Sequence, residues 1–301
     1  MSSLGQNASA DALFDDEFLI GLEYLEIVAK RAFQGASGGE RRSKRLGAGL
    51  EFADHRRYSP GDDFRHIDWN VYARLGKLLL RLFEEEEDLT IYVLLDVSAS
   101  MGLGQGRRFD QARRLAAAMA YVSLANLDRV SVVALDESIR DRLLPARGKA
   151  QIFHVLRFLS ELKPSGTTRL GQALQSFVHQ APRRGVALLI SDLYSQDGIE
   201  DAVNALRYHR FEPVVLHLTE RDELDIGLRG DLRLIDCETG ALRDITMTPR
   251  IMARYQEAHA AWRADIETFC MQRQVPYFEA PVEQSFRDTM LSIFRAGGLV
   301  R

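Results

Sequence analysis

The sequence predicts an α/β protein: a doubly wound, mostly parallel sheet with a small helical and β extension at its N-terminus. Three observations carry that expectation. Short apolar runs at Ile91–Leu95, Arg129–Leu135, Val186–Ile190 and Pro213–Leu218 alternate with amphipathic stretches, the order expected of strands joined by crossover helices. The runs at Ile91–Leu95 and Val186–Ile190 are almost continuously apolar and lead into the carboxylates Asp96 and Asp192, as strands buried on both faces do when they emerge at a ligand-binding edge. A chain of 301 residues with 46% hydrophobic content is long enough to bury a sizeable core.

Along the chain, Met1–Ala10 is polar and expected to be disordered. Asp11–Phe33 carries Leu13, Phe14, Phe18, Leu22, Leu25, Ile27 and Val28 at helical spacing, with acidic residues in its first part. Gln34–Gly49, rich in Gly, Ser and Arg, reads as a flexible basic loop. Residues 1–88 are therefore taken as the extension and 89–301 as the α/β domain. Within the latter, Phe109–Leu127 is an Ala-rich helix able to pack closely on a sheet, and Ile139–Pro145 is a short edge strand. Helices are expected at Gln151–Leu162, Arg169–Gln180 and Gly198–Tyr208. Leu232–Ile245, with Glu238-Thr239-Gly240 at its centre, reads as a hairpin. A long helix at Arg250–Gln274, a last strand at Pro276–Glu279 and a closing helix at Glu283–Arg295 complete the chain.

Composition narrows the function. The formal net charge of −4 gives no overall attraction to nucleic acid or to an anionic membrane. The basic cluster Arg41–Arg45 with Arg56 and Arg57 lacks the interleaved aromatics of single-strand binders, so no nucleic-acid partner is expected. The acidic run Glu84–Asp88 reads as a solvated edge or loop. No apolar stretch approaches the roughly 18 residues of a membrane span. The start of the chain lacks a basic segment followed by an apolar one. With two distant cysteines, Cys237 and Cys270, and no C-x-x-C pair, a reducing, cytoplasmic setting is expected.

The chemistry concentrates in Asp96-Val97-Ser98-Ala99-Ser100. Alternate residues of an extended or tightly turning segment can aim one carboxylate and two hydroxyls at a single point, an oxygen set that suits a hard cation retaining water. Two further segments fit it: the Gly-containing loop Pro164–Leu174, which runs into an amphipathic helix, and the strand ending at Asp192. Together they resemble the von Willebrand factor A (vWA) fold and its metal-ion-dependent adhesion site. The resemblance implies Asp96, Ser98, Ser100, Thr168 and Asp192 as ligands of a divalent cation, with magnesium favoured by the few carboxylates. Thr167 stands as an alternative to Thr168. Many vWA domains place Gly after the last Asp, whereas here Leu193-Tyr194 follows.

A second signature precedes this domain. Tyr58-Ser59-Pro60-Gly61-Asp62-Asp63-Phe64-Arg65-His66-Ile67-Asp68-Trp69, followed by Ala73-Arg74, resembles the bacterial "domain of unknown function 58" family. Members of that family are commonly encoded beside MoxR-type AAA+ ATPases, which implies a partner of that kind. Physically, Pro60-Gly61 sets a turn, and Asp62, Asp63, Arg65, His66 and Asp68 crowd charges of both signs into a short span. These are expected to pair with one another and cap turns as a structural clasp, with Trp69 anchoring the segment against the α/β body. A second metal or acid–base site is the competing expectation. The isolated histidines show no ligand spacing.

Three function classes follow. The leading one is a metal-dependent protein-interaction module, an adaptor or co-chaperone of a MoxR-type ATPase, whose cation is completed by an acidic side chain of the partner. The second is a metal-dependent hydrolase using the Asp96/Asp192 site. A phosphatase with Asp96 as nucleophile would want a second carboxylate where Ser98 stands, and no P-loop, G-x-S-x-G or H-E-x-x-H pattern occurs, so no enzyme activity is expected. The third is a structural scaffold.

Overall fold

The computed structural model describes residues 13–36, 46–47, 51–84, 89–221 and 229–296. The expectations for Met1–Ala10, for most of Gln34–Gly49 and for the greater part of the acidic run Glu84–Asp88 fall outside them. Two compact units emerge, one from the residues up to Arg31 together with those from Leu89 onward, the other from Ala32 to Asp88.

The larger unit holds six strands: β4 (Thr90–Asp96), β5 (Arg129–Leu135), β6 (Ile139–Arg147), β7 (Val186–Ser191), β8 (Glu212–Thr219) and β11 (Tyr277–Pro281), the numbering following chain order. Their spatial order is β11-β8-β7-β4-β5-β6. Every neighbouring pair is parallel except β5 with β6, which runs antiparallel at the edge. The fold is thus α/β and doubly wound around a mostly parallel sheet. From the central β4 the chain first builds outward through β5 and β6, then returns to β7 on the other side. That reversal between β4 and β7 is the switch point of the sheet, and Asp96 and Asp192 stand at the carboxyl ends of these two strands.

Side-chain alternation along the strands feeds two cores. Tyr92, Leu94, Val133, Leu135, Ala187, Leu189 and Val215 join Leu170, Leu174 and Phe177 of the helix Leu170–Gln180 and Ala202, Val203 and Leu206 of the helix Glu200–Tyr208. The long helix Pro249–Gln272 adds Ile266 and Cys270 to this side. On the opposite face Val93, Leu95, Val132, Ala134, Leu188 and Ile190 are buried, and the helix Arg107–Ala125 packs on β4 and β5 with Ala112, Ala116, Ala117 and Ala120 buried. Small side chains let this helix approach the sheet closely. The two cysteines are free, Cys237 exposed and Cys270 buried. Among the described residues no helix is long and apolar enough to cross a membrane.

Two expectations need correction here. The boundary expected between 1–88 and 89–301 does not describe the first helix, which runs Asp16–Ala36 and packs mainly with the α/β unit. Its apolar stripe Phe18, Leu22, Leu25 and Ala29 is buried; Phe18 meets the ring of Phe286 at 4.6 Å. Glu26 adds a polar anchor, accepting from Lys149 Nζ at 2.7 Å and Tyr121 Oη at 2.8 Å. Burial pushes the Glu26 carboxyl upward, but hydrogen bonds from Lys149, Lys30 and Tyr121 outweigh it and hold the group at about 2. Lys149 and Lys30 are half exposed, so water screens much of this attraction. Glu26→Gln is accordingly expected to lower unfolding free energy by only about 1 kcal/mol, measurable by urea denaturation at neutral pH.

The second correction concerns the smaller unit. It is an antiparallel sheet of β1 (Leu46–Gly47), β2 (Glu51–Arg57) and β3 (Leu79–Glu84) in the order β1-β3-β2, with the helix Trp69–Leu75. Within it the clasp is local. Asp62 accepts from the Ser59 amide at 2.8 Å and from Arg56 Nη2 at 2.7 Å, closing the turn in which Gly61 takes a φ of 106°. Asp63 accepts both the Arg65 amide and its guanidinium, and the Arg65 side-chain bonds hold the Asp63 carboxyl down at about 2. Asp68 caps the helix by accepting from the Asn70 and Val71 amides and also pairs with Arg81 and His55. Tyr58 is held by its amide to the Leu78 carbonyl at 3.0 Å, and Arg74 is exposed in the last turn of the helix.

Trp69, expected to be an anchor, is 58% exposed and meets Tyr72 edge-on at 6.1 Å. A side chain so exposed supplies little burial, and Trp69→Ala should shift unfolding free energy by no more than about 0.5 kcal/mol, to be read by denaturant unfolding. A loss of several kcal/mol there would require a buried anchor.

Candidate metal centre

The first-strand motif is positioned by backbone geometry. At the end of β4 the Val97 amide still pairs with the Leu135 carbonyl at 2.8 Å. The chain then turns through a 3₁₀ segment, Ala99–Gly102. The loop before the helix Leu170–Gln180 lies alongside, with the Ser165 amide on the Val97 carbonyl at 2.8 Å and the Ala99 amide on the Gly166 carbonyl at 3.0 Å. Gly166 sits at φ 84°, and a Cβ there would come 2.9 Å from Arg140 Nη2. Glycine is what this close approach allows.

Three of the five expected ligands, Asp96, Ser98 and Ser100, are linked by hydrogen bonds, and a fourth, Asp192, follows a serine that bonds Asp96. Asp96 is fully buried and accepts from the Ser98 amide at 2.9 Å and from Ser191 Oγ at 2.5 Å. Ser98 Oγ and Ser100 Oγ share a hydrogen bond of 3.0 Å. Ser191, next to Asp192 in sequence, thereby ties the end of β7 to the end of β4. Asp192, also fully buried, accepts from the Tyr194 amide at 3.2 Å and from Arg108 Nη1 at 2.8 Å. Thr168, the fifth, is buried; its carbonyl accepts from the Gln196 amide at 3.5 Å on the loop that follows Asp192. Thr167 turns its hydroxyl to Glu137 at 3.2 Å instead. Leu193, at the position where many vWA domains have Gly, adopts φ 61°, a left-handed conformation unfavourable for a branched residue. Its amide bonds Ser191 Oγ at 2.9 Å and its side chain is buried, which holds the strained turn in place.

Electrostatics distinguish the two carboxylates. Arg108 is 3% exposed and bridges Asp192 to Glu220, donating to the latter at 3.3 Å. Glu220, at the end of β8, also accepts from Arg107 Nη2 at 2.8 Å. Gly104 sits at φ 64°, which favours glycine, and a Cβ there would lie 2.7 Å from the Glu220 carboxylate. The hydrogen-bond partners of Asp96 are neutral: the Ser191 and Ser98 hydroxyls and the Ser98 amide. Burial first, and the neighbouring charge of Asp192 second, push the Asp96 carboxyl well above the usual carboxylate range.

The donor set fits a hard cation. The buried Asp96 carboxylate has neutral partners and the hydroxyls of Ser98, Ser100 and Ser191 close by, an oxygen set of the kind magnesium takes while keeping several waters. Among the described residues no group of three or more His, Cys, Asp or Glu side chains is placed to hold a metal. His217, buried beside this region and pushed down to about 3 by burial, bonds Tyr277 Oη at 2.6 Å as a neutral ring.

Several residues of this site were not among those expected from sequence. Glu220 carries the same signal as Asp192, an acid closing an apolar strand. Arg107 and Arg108 stand in the first turn of a helix, where cations oppose the helix dipole; that mismatch is the cue that they answer buried acids. Glu238 lies in the tip of the hairpin formed by β9 (Gly230–Ile235) and β10 (Leu242–Met247). It accepts from Thr168 Oγ1 at 2.5 Å and from the Thr168 amide at 3.0 Å.

The fold and the strand-end position of these side chains define a doubly wound α/β protein with an oxygen-rich cluster at its switch point. The chain belongs to the DUF58 family, described as a protein of unknown function, whose family model matches residues 54–265. It is 26% identical over 257 residues to uncharacterized protein Rv1480 of Mycobacterium tuberculosis and to uncharacterized protein Mb1516 of Mycobacterium bovis, a match covering 84% of this chain and 81% of each relative. Among solved structures it is similar to the conserved hypothetical protein BatB from Bacteroides thetaiotaomicron, at 15% identity and a TM-score of 0.45, covering 70% of this chain and 98% of that one. The ArnB paralog VWA2 from Sulfolobus acidocaldarius is similar at 17% identity and a TM-score of 0.29, covering 44% of this chain and 35% of that one.

Proposed function

We propose that the protein is a vWA-like, metal-dependent interaction module that works in the cytoplasm as an adaptor or co-chaperone of a MoxR-type AAA+ ATPase. The observation that carries this is Asp96: a fully buried carboxylate with only neutral hydrogen-bond donors among the described residues, at the switch point of the sheet, beside two serine hydroxyls and a second acid. Such an anion favours a cation, and Asp96, Ser98, Ser100, Thr168 and Asp192 are the residues that would hold it, magnesium being the hard ion the donors suit. Bound there, the ion would offer a Lewis-acidic position to an incoming carboxylate. The chain's own residues do the rest. Ser191 fixes the Asp96 carboxylate, Arg108 neutralises Asp192, and the loop through Gly166 leads Thr168 into the helix Leu170–Gln180. The ATPase assignment rests on the family resemblance alone.

The test is magnesium titration of the full-length protein by calorimetry, paired with capture of the purified ATPase in magnesium and in EDTA. One-site binding, and capture that needs magnesium, is the expected result. No heat at millimolar magnesium rejects the metal, and equal capture in EDTA rejects metal dependence.

A further inference from the structure

The β9–β10 hairpin pairs with no other strand of the molecule among the described residues. Its side chains are largely exposed, and cross-strand contacts such as Arg233 with Asp244 and Thr246 with Asp231 hold it internally. Its tip is nonetheless rigidly shaped. Asp236 Oδ1 accepts from the amides of Glu238 at 2.8 Å and Thr239 at 3.2 Å, and the Gly240 amide returns to the Asp236 carbonyl at 2.9 Å. From Asp236 to Ala241 every residue is exposed except Glu238. That one side chain reaches the α/β body, where the two oxygens of its carboxylate meet the hydroxyl and the amide of one residue, Thr168. These two hydrogen bonds tie the hairpin to the body.

A paired N–H and O–H facing both oxygens of a carboxylate is a seat for an acid, and here the chain fills it with its own. We propose that the hairpin is a self-latch: Glu238 occupies the carboxylate seat on Thr168, and an acidic side chain of a partner binds at this rim only after displacing it. The seat is made of protein donors and stands without the metal; it rests on the interaction-module reading only for what the latch excludes. Thr168 Oγ1 donates its proton to Glu238 and keeps lone pairs for a cation, so a closed latch is compatible with a loaded metal site and gates the partner instead. An isolated two-stranded hairpin is marginal by itself, so swinging it away disturbs none of the six-stranded sheet. Two hydrogen bonds from neutral donors to a carboxylate hold firmly enough to exclude weak acids and lightly enough to yield to a partner with further contacts.

Hydrogen exchange and ligand titration on the full-length protein test this, with glutarate as the acidic probe, in magnesium and in EDTA. Glu238→Ala should speed exchange at residues 165–170 and 236–241 by on the order of tenfold, while the helix Arg107–Ala125 exchanges as in the wild type, showing an intact fold. The same variant should bind glutarate about tenfold more tightly, because the closed fraction that lowers the apparent affinity is removed. Adding Thr168→Val should abolish that gain. Unchanged exchange at both segments overturns the latch. Faster exchange without a gain in glutarate affinity overturns it too, leaving Glu238 as a simple tie. Absence of magnesium binding in wild type and variant alike would remove the metal from the proposed function, while the exchange and the EDTA titration still decide the latch.

Discussion

Magnesium should stabilise the wild-type protein and leave Asp96→Asn untouched. A ligand that binds the native state alone stabilises it by about 2.7 kcal/mol at a hundred times its dissociation constant, and an Asp96-dependent site would show that gain as a concentration-dependent rise in melting temperature. The choice of variant matters. Asp96→Ala also abolishes the site, but it leaves the Ser191 hydroxyl and the Ser98 amide without an acceptor in a buried place, each worth about 1–3 kcal/mol. Asn keeps a carbonyl oxygen for the Ser98 amide and turns its NH2 to Ser191 Oγ, a hydroxyl that can accept as well as donate, so the charge goes while both partners stay paired. Because burial and Asp192 both disfavour that charge, the metal-free Asn variant should melt no lower than the metal-free wild type. Differential scanning calorimetry with and without magnesium reads both statements. A variant that still gains stability with magnesium would exclude Asp96 as a ligand.

The parts of this molecule that could be read from sequence are those written in a contiguous pattern. β4 and β7 announce themselves as apolar runs, and the residues closing them, Asp96 with Ser98 and Ser100, and Asp192, are local enough to be placed by strand geometry alone. The hairpin at Leu232–Ile245 and the Ala-rich helix were legible for the same reason. Partners are harder to read. The stripe Phe18, Leu22, Leu25 showed that one face of the first helix is buried without showing against what, so the helix was assigned to the extension when it packs with the α/β unit. Trp69 was expected to be buried because large aromatics usually are, yet burial depends on what faces it, and the ring is exposed. Sheet residues in Glu51–Arg57 and Leu79–Glu84 mix charge into short strands and give no clean alternation. Contacts between distant segments leave little local trace: nothing near Glu238 points to Thr168, and the place of Arg108 in a first helical turn calls for an acid without saying that it is Asp192.

Arg108→Ala should be the most damaging single substitution at the site, lowering unfolding free energy by about 3–5 kcal/mol, the range for breaking a buried ion pair from one side. The guanidinium is 3% exposed and lies between the fully buried Asp192 and the almost fully buried Glu220. Its removal leaves Asp192 with only the Tyr194 amide among its described hydrogen bonds, while Glu220 keeps the half-exposed Arg107. Lysine restores charge but not the fork that reaches both acids at once, so Arg108→Lys should recover part of the loss, and it serves as the folded comparison if the Ala variant does not accumulate. Magnesium separates structure from site. Without the guanidinium holding Asp192, a cation at Asp96 and Asp192 compensates more charge than before, so the stabilisation by magnesium should be larger in Arg108→Lys than in the wild type. Urea unfolding of the three proteins with and without magnesium measures it. A loss below about 1 kcal/mol, the scale of a solvent-exposed pair, would mean that water reaches these acids and that the buried charge balance on which Asp96 depends does not exist.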